Sequence, residues 1–165
     1  MKPRRASWAS AAFFVAAPVV VAGLIPAWIT RWRVGADGSA PLMLTGAVLI
    51  AAGAVVAIDC VLRFARSGGT PAPIAPSERL VVEGPYRHVR NPIYLAALAA
   101  ILGQALAFAS AALIAYFMAV ALTLHVLVLS YEEPTLKRSF PEDYAAYQRN
   151  VRRWLPRLSP WRGET

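Results

Sequence analysis

The sequence predicts an all-α, polytopic membrane protein with four transmembrane helices. The last two should form a tight hairpin, followed by an amphipathic helix on the cytoplasmic side. Three observations carry this reading. The chain is 58% hydrophobic yet has a formal net charge of +8 in 165 residues, a pairing that suits neither a soluble core nor a disordered tail. The apolar residues are gathered into long runs, and the arginines lie between the runs. Residues 93–131 contain no Lys, Arg, Asp or Glu; as one helix they would be about 58 Å long, nearly twice a bilayer core, so they must fold back. There is room for one domain, residues 1–165. The basic excess fits orientation in a bilayer rather than nucleic acid, which is not expected as a partner. Cys60 is the only cysteine, so no internal disulfide can form.

In chain order, residues 1–5 are a basic lead with Lys2, Arg4 and Arg5, and residues 7–30 follow without a charge. That length spans a hydrocarbon core of about 30 Å, whereas a signal peptide's apolar core would be about half as long, so a retained first span at about 7–30 is expected. Pro18 and Pro26 should kink it, which membrane helices tolerate where neighbours satisfy the freed carbonyls. Residues 31–39 read as a loop, and a second span covers about 40–64, with Gly46 and Gly53 permitting close approach of another helix. Asp59 lies inside this span. It is either a functional carboxylate or an (i, i+4) partner of Arg63.

Residues 67–77, rich in Pro, Gly and Ser, read as a connecting loop, and residues 78–83 as a short extended piece. Next comes the densest polar stretch, Glu83-Gly84-Pro85-Tyr86-Arg87-His88-Val89-Arg90-Asn91-Pro92-Ile93-Tyr94. Pro92 fits a first helical position and Asn91 before it a favoured N-cap. A helix start flanked by arginines suits a carboxylate or phosphate; the blander alternative is anchoring of the arginines among headgroups. The hairpin spans are placed at about 92–107 and 110–131, with the bend at 107–110. Small residues, among them Ala96, Ala100, Gly103, Ala111 and Ala115, should allow the pair to pack closely. With both termini cytoplasmic, 15 of the 17 Lys and Arg residues lie inside and only Arg31 and Arg33 outside.

The last span ends in Tyr131-Glu132-Glu133-Pro134. Adjacent carboxylates there need water or cations, and Arg87, Arg90 and a bound substrate are the candidates. In the tail, about 134–156, Leu136, Phe140, Tyr144, Tyr147, Val151 and Trp154 recur at helical spacing as one stripe lying on or against the membrane. Pro141 should restart the helix, with Glu142 and Asp143 in its first turn.

These residues also carry a resemblance. Gly84-Pro85-Tyr86-Arg87 followed by Arg90-Asn91-Pro92-Ile93-Tyr94 resembles the G-x-Y-x-x-x-R-H-P-x-Y signature of integral-membrane methyltransferases. Glu132-Glu133-Pro134-x-Leu136, with Phe140, Tyr144, Tyr147, Val151 and Arg153-Trp154-Leu155-Pro156, resembles the ending of that family. The family includes isoprenylcysteine carboxyl methyltransferases and phospholipid N-methyltransferases, and the similarity covers roughly residues 80–156. Asn91 stands where many members have His, and Pro141 where many have Gly. Asn91 exchanges hydrogen bonds but does not titrate.

The resemblance implies S-adenosyl-L-methionine bound at the cytoplasmic face in a pocket of the last two helices and the tail, leaving as S-adenosyl-L-homocysteine. Tyr86, His88, Asn91, Tyr94, Glu132 and Glu133 would hold the cofactor, Arg90 would align the acceptor, and Glu132 or Glu133 would serve as base for an amine acceptor; no metal site is expected. The acceptor would partition into the lipid bilayer: an isoprenylated cysteine carboxylate first, phosphatidylethanolamine as the alternative. An NADPH-dependent sterol-type reductase and a non-enzymatic membrane protein are the readings from other classes. The oligomeric state is left open.

Overall fold

The computed structural model describes residues 18–35, 38–66 and 80–163, and every regular element among them is helical. The elements are α1 (Val20–Thr30), α2 (Ala40–Arg66), a 3-10 turn (Gly84–Arg87), α3 (Pro92–Ala107), α4 (Ala111–Leu127), α5 (Glu133–Ser139) and α6 (Pro141–Asn150). Residues 1–17, 36–37, 67–79 and 164–165 lie outside the described residues, and with them the predicted 67–77 loop and the first two residues of the extended piece.

Among the described residues two stretches are long and apolar enough to cross a membrane, Ala40–Arg63 with 24 residues and Ala111–Ser139 with 29. Only 11% of the most apolar 18 residues in each is buried, the reverse of what the core helix of a soluble protein requires. Leu44, Val48 and Val55 on α2 and Met118, Leu122 and Val126 on α4 are exposed instead.

Two prolines sit in these helices behind the same device. A π-helical turn, Val20–Leu24, ends two residues before Pro26, and another, Val128–Glu132, ends two residues before Pro134. A widened turn gives the proline ring room where an α-helical carbonyl would crowd it. Helix continuity therefore survives Pro134, and the last apolar helix runs on to Ser139 rather than stopping near Tyr131. At Pro26 the cost falls on the Ala22 carbonyl, which loses its helical donor. Gln104 of α3 donates to that oxygen at 2.6 Å, and Tyr116 of α4 donates to the Val21 carbonyl at 2.9 Å. Neighbouring helices thus satisfy the freed carbonyls at Pro26, as expected; the carbonyl four residues before Pro18 lies outside the described chain.

The small residues of α3 do not serve the hairpin as expected. They face α2. A Cβ added at Gly46 would collide with the Gly103 carbonyl, and one added at Gly53 would lie 2.6 Å from the Ala96 carbonyl. Backbone-to-backbone approach at these two levels makes α2 and α3 the closest pair of helices. The hairpin bend falls where it was predicted: α3 ends at Ala107, Ala109 turns through a left-handed conformation (φ 47°), and the Ser110 side chain accepts from the Leu113 N–H. The 31–35 loop packs on this bend. Gly35 N–H donates to the Phe108 carbonyl at 2.8 Å, and Trp32 meets Phe108 edge-on.

The opposite end of the helices carries the polar stretch and the tail. α6 starts at Pro141 with Glu142 and Asp143 in its first turn, as expected. Tyr144, Tyr147 and Val151 are buried, with Leu80, Val82, Leu136, Phe140 and Trp161 packed around them. The predicted stripe is therefore spread over two helices and the chain after them, and it faces protein. Trp154 departs from it to meet His125 of α4.

Candidate active site

Residues 84–92 are folded back so that both their main chain and their side chains meet the tail. Gly84 is left-handed (φ 52°), and any Cβ there would strike the Arg63 guanidinium. Tyr147 donates its hydroxyl to the Tyr86 carbonyl at 2.6 Å. Arg90 N–H donates to the Arg152 carbonyl at 2.9 Å, Arg157 N–H to the His88 carbonyl at 2.9 Å and Trp161 N–H to the Arg87 carbonyl at 3.0 Å. The tail is thereby strapped across the polar stretch. Burial pushes the Tyr86, Tyr144 and Tyr147 phenols up, so all three keep their protons at neutral pH.

The two glutamates have different surroundings. Glu133 is 6% exposed and fully engaged: Arg153 reaches it through Nε at 2.5 Å and Nη2 at 3.0 Å, Arg90 Nη1 at 3.0 Å and Gln148 Nε2 at 3.2 Å. Glu132 accepts from the Tyr94 hydroxyl. Arg90, one of the cations expected for the two carboxylates, pairs with Glu133, and its Nη1 also lies 3.4 Å from the Tyr144 hydroxyl. Arg87, the other expected cation, donates to the Val82 carbonyl. The bond to Glu133 raises the Arg153 guanidinium further, so this ion pair stays charged.

Asn91 occupies the N-cap position of α3 without capping it. Its amide donates to the Arg153 carbonyl at 3.2 Å instead, because the strapped tail offers an acceptor there. His88 Nδ1 lies 2.8 Å from the Arg157 carbonyl, which fixes the ring proton on Nδ1. Of the seven predicted site residues, Arg90, Tyr94, Glu132 and Glu133 are joined by direct side-chain bonds, and Asn91 and His88 bond to the tail. Tyr86 is buried beneath them rather than offering an open aromatic face.

A cavity of about 810 Å³ opens on the other side of α3, between α2, the 3-10 turn and the tail. Its floor is apolar and built of small residues such as Ala52, Gly53 and Ala96; Asp59, Arg63, Arg87 and His88 give it a polar edge. Asp59 is bonded to Arg63 at 2.8 Å, the (i, i+4) pairing foreseen as one of its two roles. The expected pocket of the last two helices and the tail is not this cavity, which is walled by α2 and α3. Among the described residues no three His, Cys, Asp or Glu side chains are gathered to hold a metal ion.

Sequence reading missed Arg153, Gln148 and Tyr144 as members of the polar network. Arg153 stood in a quoted motif, but only the fold-back of residues 151–154 onto α3 reveals its carboxylate. Within the network, Arg90 Nε is buried and has no hydrogen-bond partner among the described residues. A guanidinium N–H in that state is suited to an acceptor supplied from outside the chain, such as a cofactor carboxylate, so the residues fit the group that the sequence implied.

The chain is 32% identical over 140 residues to the cobalt-zinc-cadmium resistance protein CzcN of Cupriavidus metallidurans, across 82% of this chain and 58% of that protein. The chain thus spans less than two thirds of that relative's length. No solved structure matches. The family profile described as phospholipid methyltransferase matches residues 42–143, which include all but the first two residues of α2, the polar stretch, the hairpin and both glutamates, and the chain belongs to this family of integral-membrane methyltransferases.

Proposed function

We propose that this protein transfers a methyl group from S-adenosyl-L-methionine to an acceptor dissolved in the bilayer, at the cytoplasmic face. The observation that carries the reading is the meeting of two segments distant in sequence. The start of α3 and the end of the α4 helix are joined by Tyr94 on Glu132 and Arg90 on Glu133, across 38 and 43 residues. The chain is taken as a single membrane domain of four spans, 7–30, 40–64, 92–107 and 110–131, with both termini cytoplasmic. In support, the 31–35 loop and the 108–110 bend share one end of the helices, and the arginine-rich tail and polar stretch share the other.

The cofactor would supply an electrophilic methyl on a sulfonium. Arg90 Nε has a free N–H for its carboxylate, and Glu132 has acceptor capacity left for its ammonium or ribose hydroxyls. Asn91 and His88 hold the tail over this site, and Tyr86 and Glu133 hold the fold beneath it. Methyl transfer asks little beyond alignment of the reactants, which can itself contribute several kcal/mol. The cavity has the shape of an amphiphile site, with Arg63, Arg87 and His88 at an anionic head and the α2–α3 floor under an apolar chain. A carboxylate acceptor, as in isoprenylcysteine O-methylation, arrives ionised and requires no base.

A second reading, N-methylation of phosphatidylethanolamine, is favoured by the description of the family itself. It needs a base, and Glu132 beside Tyr94 is the candidate. Protein in nanodiscs, given methyl-labelled cofactor with either a farnesylcysteine derivative or phosphatidylethanolamine, separates the two. An ester releases labelled methanol in alkali; an N-methyl lipid does not. Label in neither product, from folded protein that binds S-adenosyl-L-homocysteine, would dismiss both acceptors.

A further inference from the structure

Both histidines of the chain hold the tail, in opposite senses. His88 Nδ1 donates to a carbonyl, that of Arg157. His125 Nδ1 lies 3.0 Å from Trp154 Nε1, an indole N–H that can only donate, so here Nδ1 is the lone pair and the proton sits on Nε2. The rings are also in contact, with centroids 6.0 Å apart and planes inclined by 37°. His125 is the only ionisable side chain apart from Tyr116 between Tyr94 and Tyr131, in a helix otherwise built of apolar and small residues. A polar ring in such a helix needs a use.

Its place in the chain of contacts suggests that use. Trp154 directly follows Arg153, the residue that grips Glu133 with two nitrogens. The buried core of the tail ends at Val151, and among the described residues no regular structure continues beyond it. From there the tail is held by single contacts: Arg152 and Arg153 by their carbonyls on Arg90 and Asn91, and Trp154 by its ring on α4. Trp154 is the contact next to Arg153 that ties this stretch to α4, before Arg157 and Trp161 fasten the chain again on the His88 and Arg87 carbonyls.

We propose that His125 is a positioning residue: its Nδ1 fixes Trp154 and, through it, the Arg153 grip on Glu133 beside the cofactor-facing Glu132. The catalytic half of this inference rests on the methyl transfer proposed above; the docking of the tail does not. Three variants test it in full-length protein in nanodiscs. His125→Leu keeps the bulk and removes the acceptor, His125→Asn places an oxygen near the Nδ1 position, and Trp154→Phe removes the donor. Trypsin should cut the tail at Arg152 to Arg157 faster in His125→Leu and Trp154→Phe, no faster still in the double variant, and at the parent rate in His125→Asn.

In methyl transfer, the Leu and Phe variants should raise KM for S-adenosyl-L-methionine about tenfold while kcat stays within about twofold. His125→Asn should restore the parent KM. Parent protection and parent KM in His125→Leu would overturn the proposal. So would equal impairment of the Asn and Leu variants, which would make His125 a space-filling ring. Absence of methyl transfer in the parent protein would sink the functional reading while the trypsin series still decides the docking.

Discussion

Glu133 receives Arg153 through both of its carboxylate oxygens, at 2.5 and 3.0 Å, and the carboxylate is almost wholly removed from solvent. A charge so placed is tolerated because its lone pairs are filled, and breaking the match leaves the partner uncompensated. Arg153→Ala and Glu133→Gln should each destabilise the protein by about 3 kcal/mol, lowering its melting temperature by roughly 6–12 °C. Differential scanning fluorimetry in detergent reads this directly; a shift under 2 °C, well below the roughly 6–12 °C expected, would mean that the pair is not buried in the folded protein.

Arg90→Ala carries a related expectation, and one that changes with the structure. Were Arg90 only an anchor among headgroups, its loss would cost the fold little. Its Nη1 in fact serves both Glu133 and the Tyr144 hydroxyl, so the variant should lose stability as well as activity. Retaining Arg153 on Glu133 limits the loss to about half that of Arg153→Ala, on the order of 1–2 kcal/mol. Parent stability with abolished turnover would return Arg90 to a purely catalytic role.

How much could be read beforehand divides along physical lines. The hairpin bend and the bounds of α3 were legible, because a charge-free run and a bilayer's thickness set them, whereas the last apolar helix continues past its predicted end to Ser139. The gathering of both polar clusters at one end followed from the hairpin alone. Pair identities did not. Tyr94 with Glu132 and Arg90 with Glu133 is a choice between adjacent carboxylates, settled by the π-helical turn Val128–Glu132, which rotates the residues after it. Nor does any local signal say that Ala96 and Gly103 face α2 rather than α4, since small residues permit close approach without naming the partner.

Tyr94 and Glu132 give a prediction that leaves the fold aside. Glu132→Gln keeps the shape and removes the charge, and should weaken S-adenosyl-L-homocysteine about tenfold in isothermal titration. Tyr94→Phe removes only the phenol's hydrogen bond and should weaken it less. Unchanged affinity in both would exclude this pair from the cofactor site.

Topology can be tested at positions the structure recommends. Gly35 is a poor choice for a cysteine, because its Cβ would lie 2.8 Å from the Ala109 carbonyl. Arg33 in the same loop and Leu158 in the tail are both exposed. With buried Cys60 replaced by Ala, an impermeant maleimide added to intact cells should label Arg33→Cys and spare Leu158→Cys. The opposite pattern would invert the proposed orientation.

The bond from Gln104 to the Ala22 carbonyl yields the most restrictive test of how the first helix is held. The bond spans 82 residues and joins α3 to the turn before Pro26. The proline lacks the N–H that this carbonyl would otherwise accept, so Gln104 replaces a helical hydrogen bond rather than adding one. Gln104→Leu should then cost about 1–2 kcal/mol, the penalty for leaving an acceptor unsatisfied away from water. In a Pro26→Ala background the regained N–H can serve the carbonyl, and the same Gln104→Leu change should cost close to nothing. A double-mutant cycle in thermal stability measures the difference. Equal costs in the two backgrounds would show that Gln104 stabilises the protein by packing alone, and that the Ala22 carbonyl is satisfied some other way.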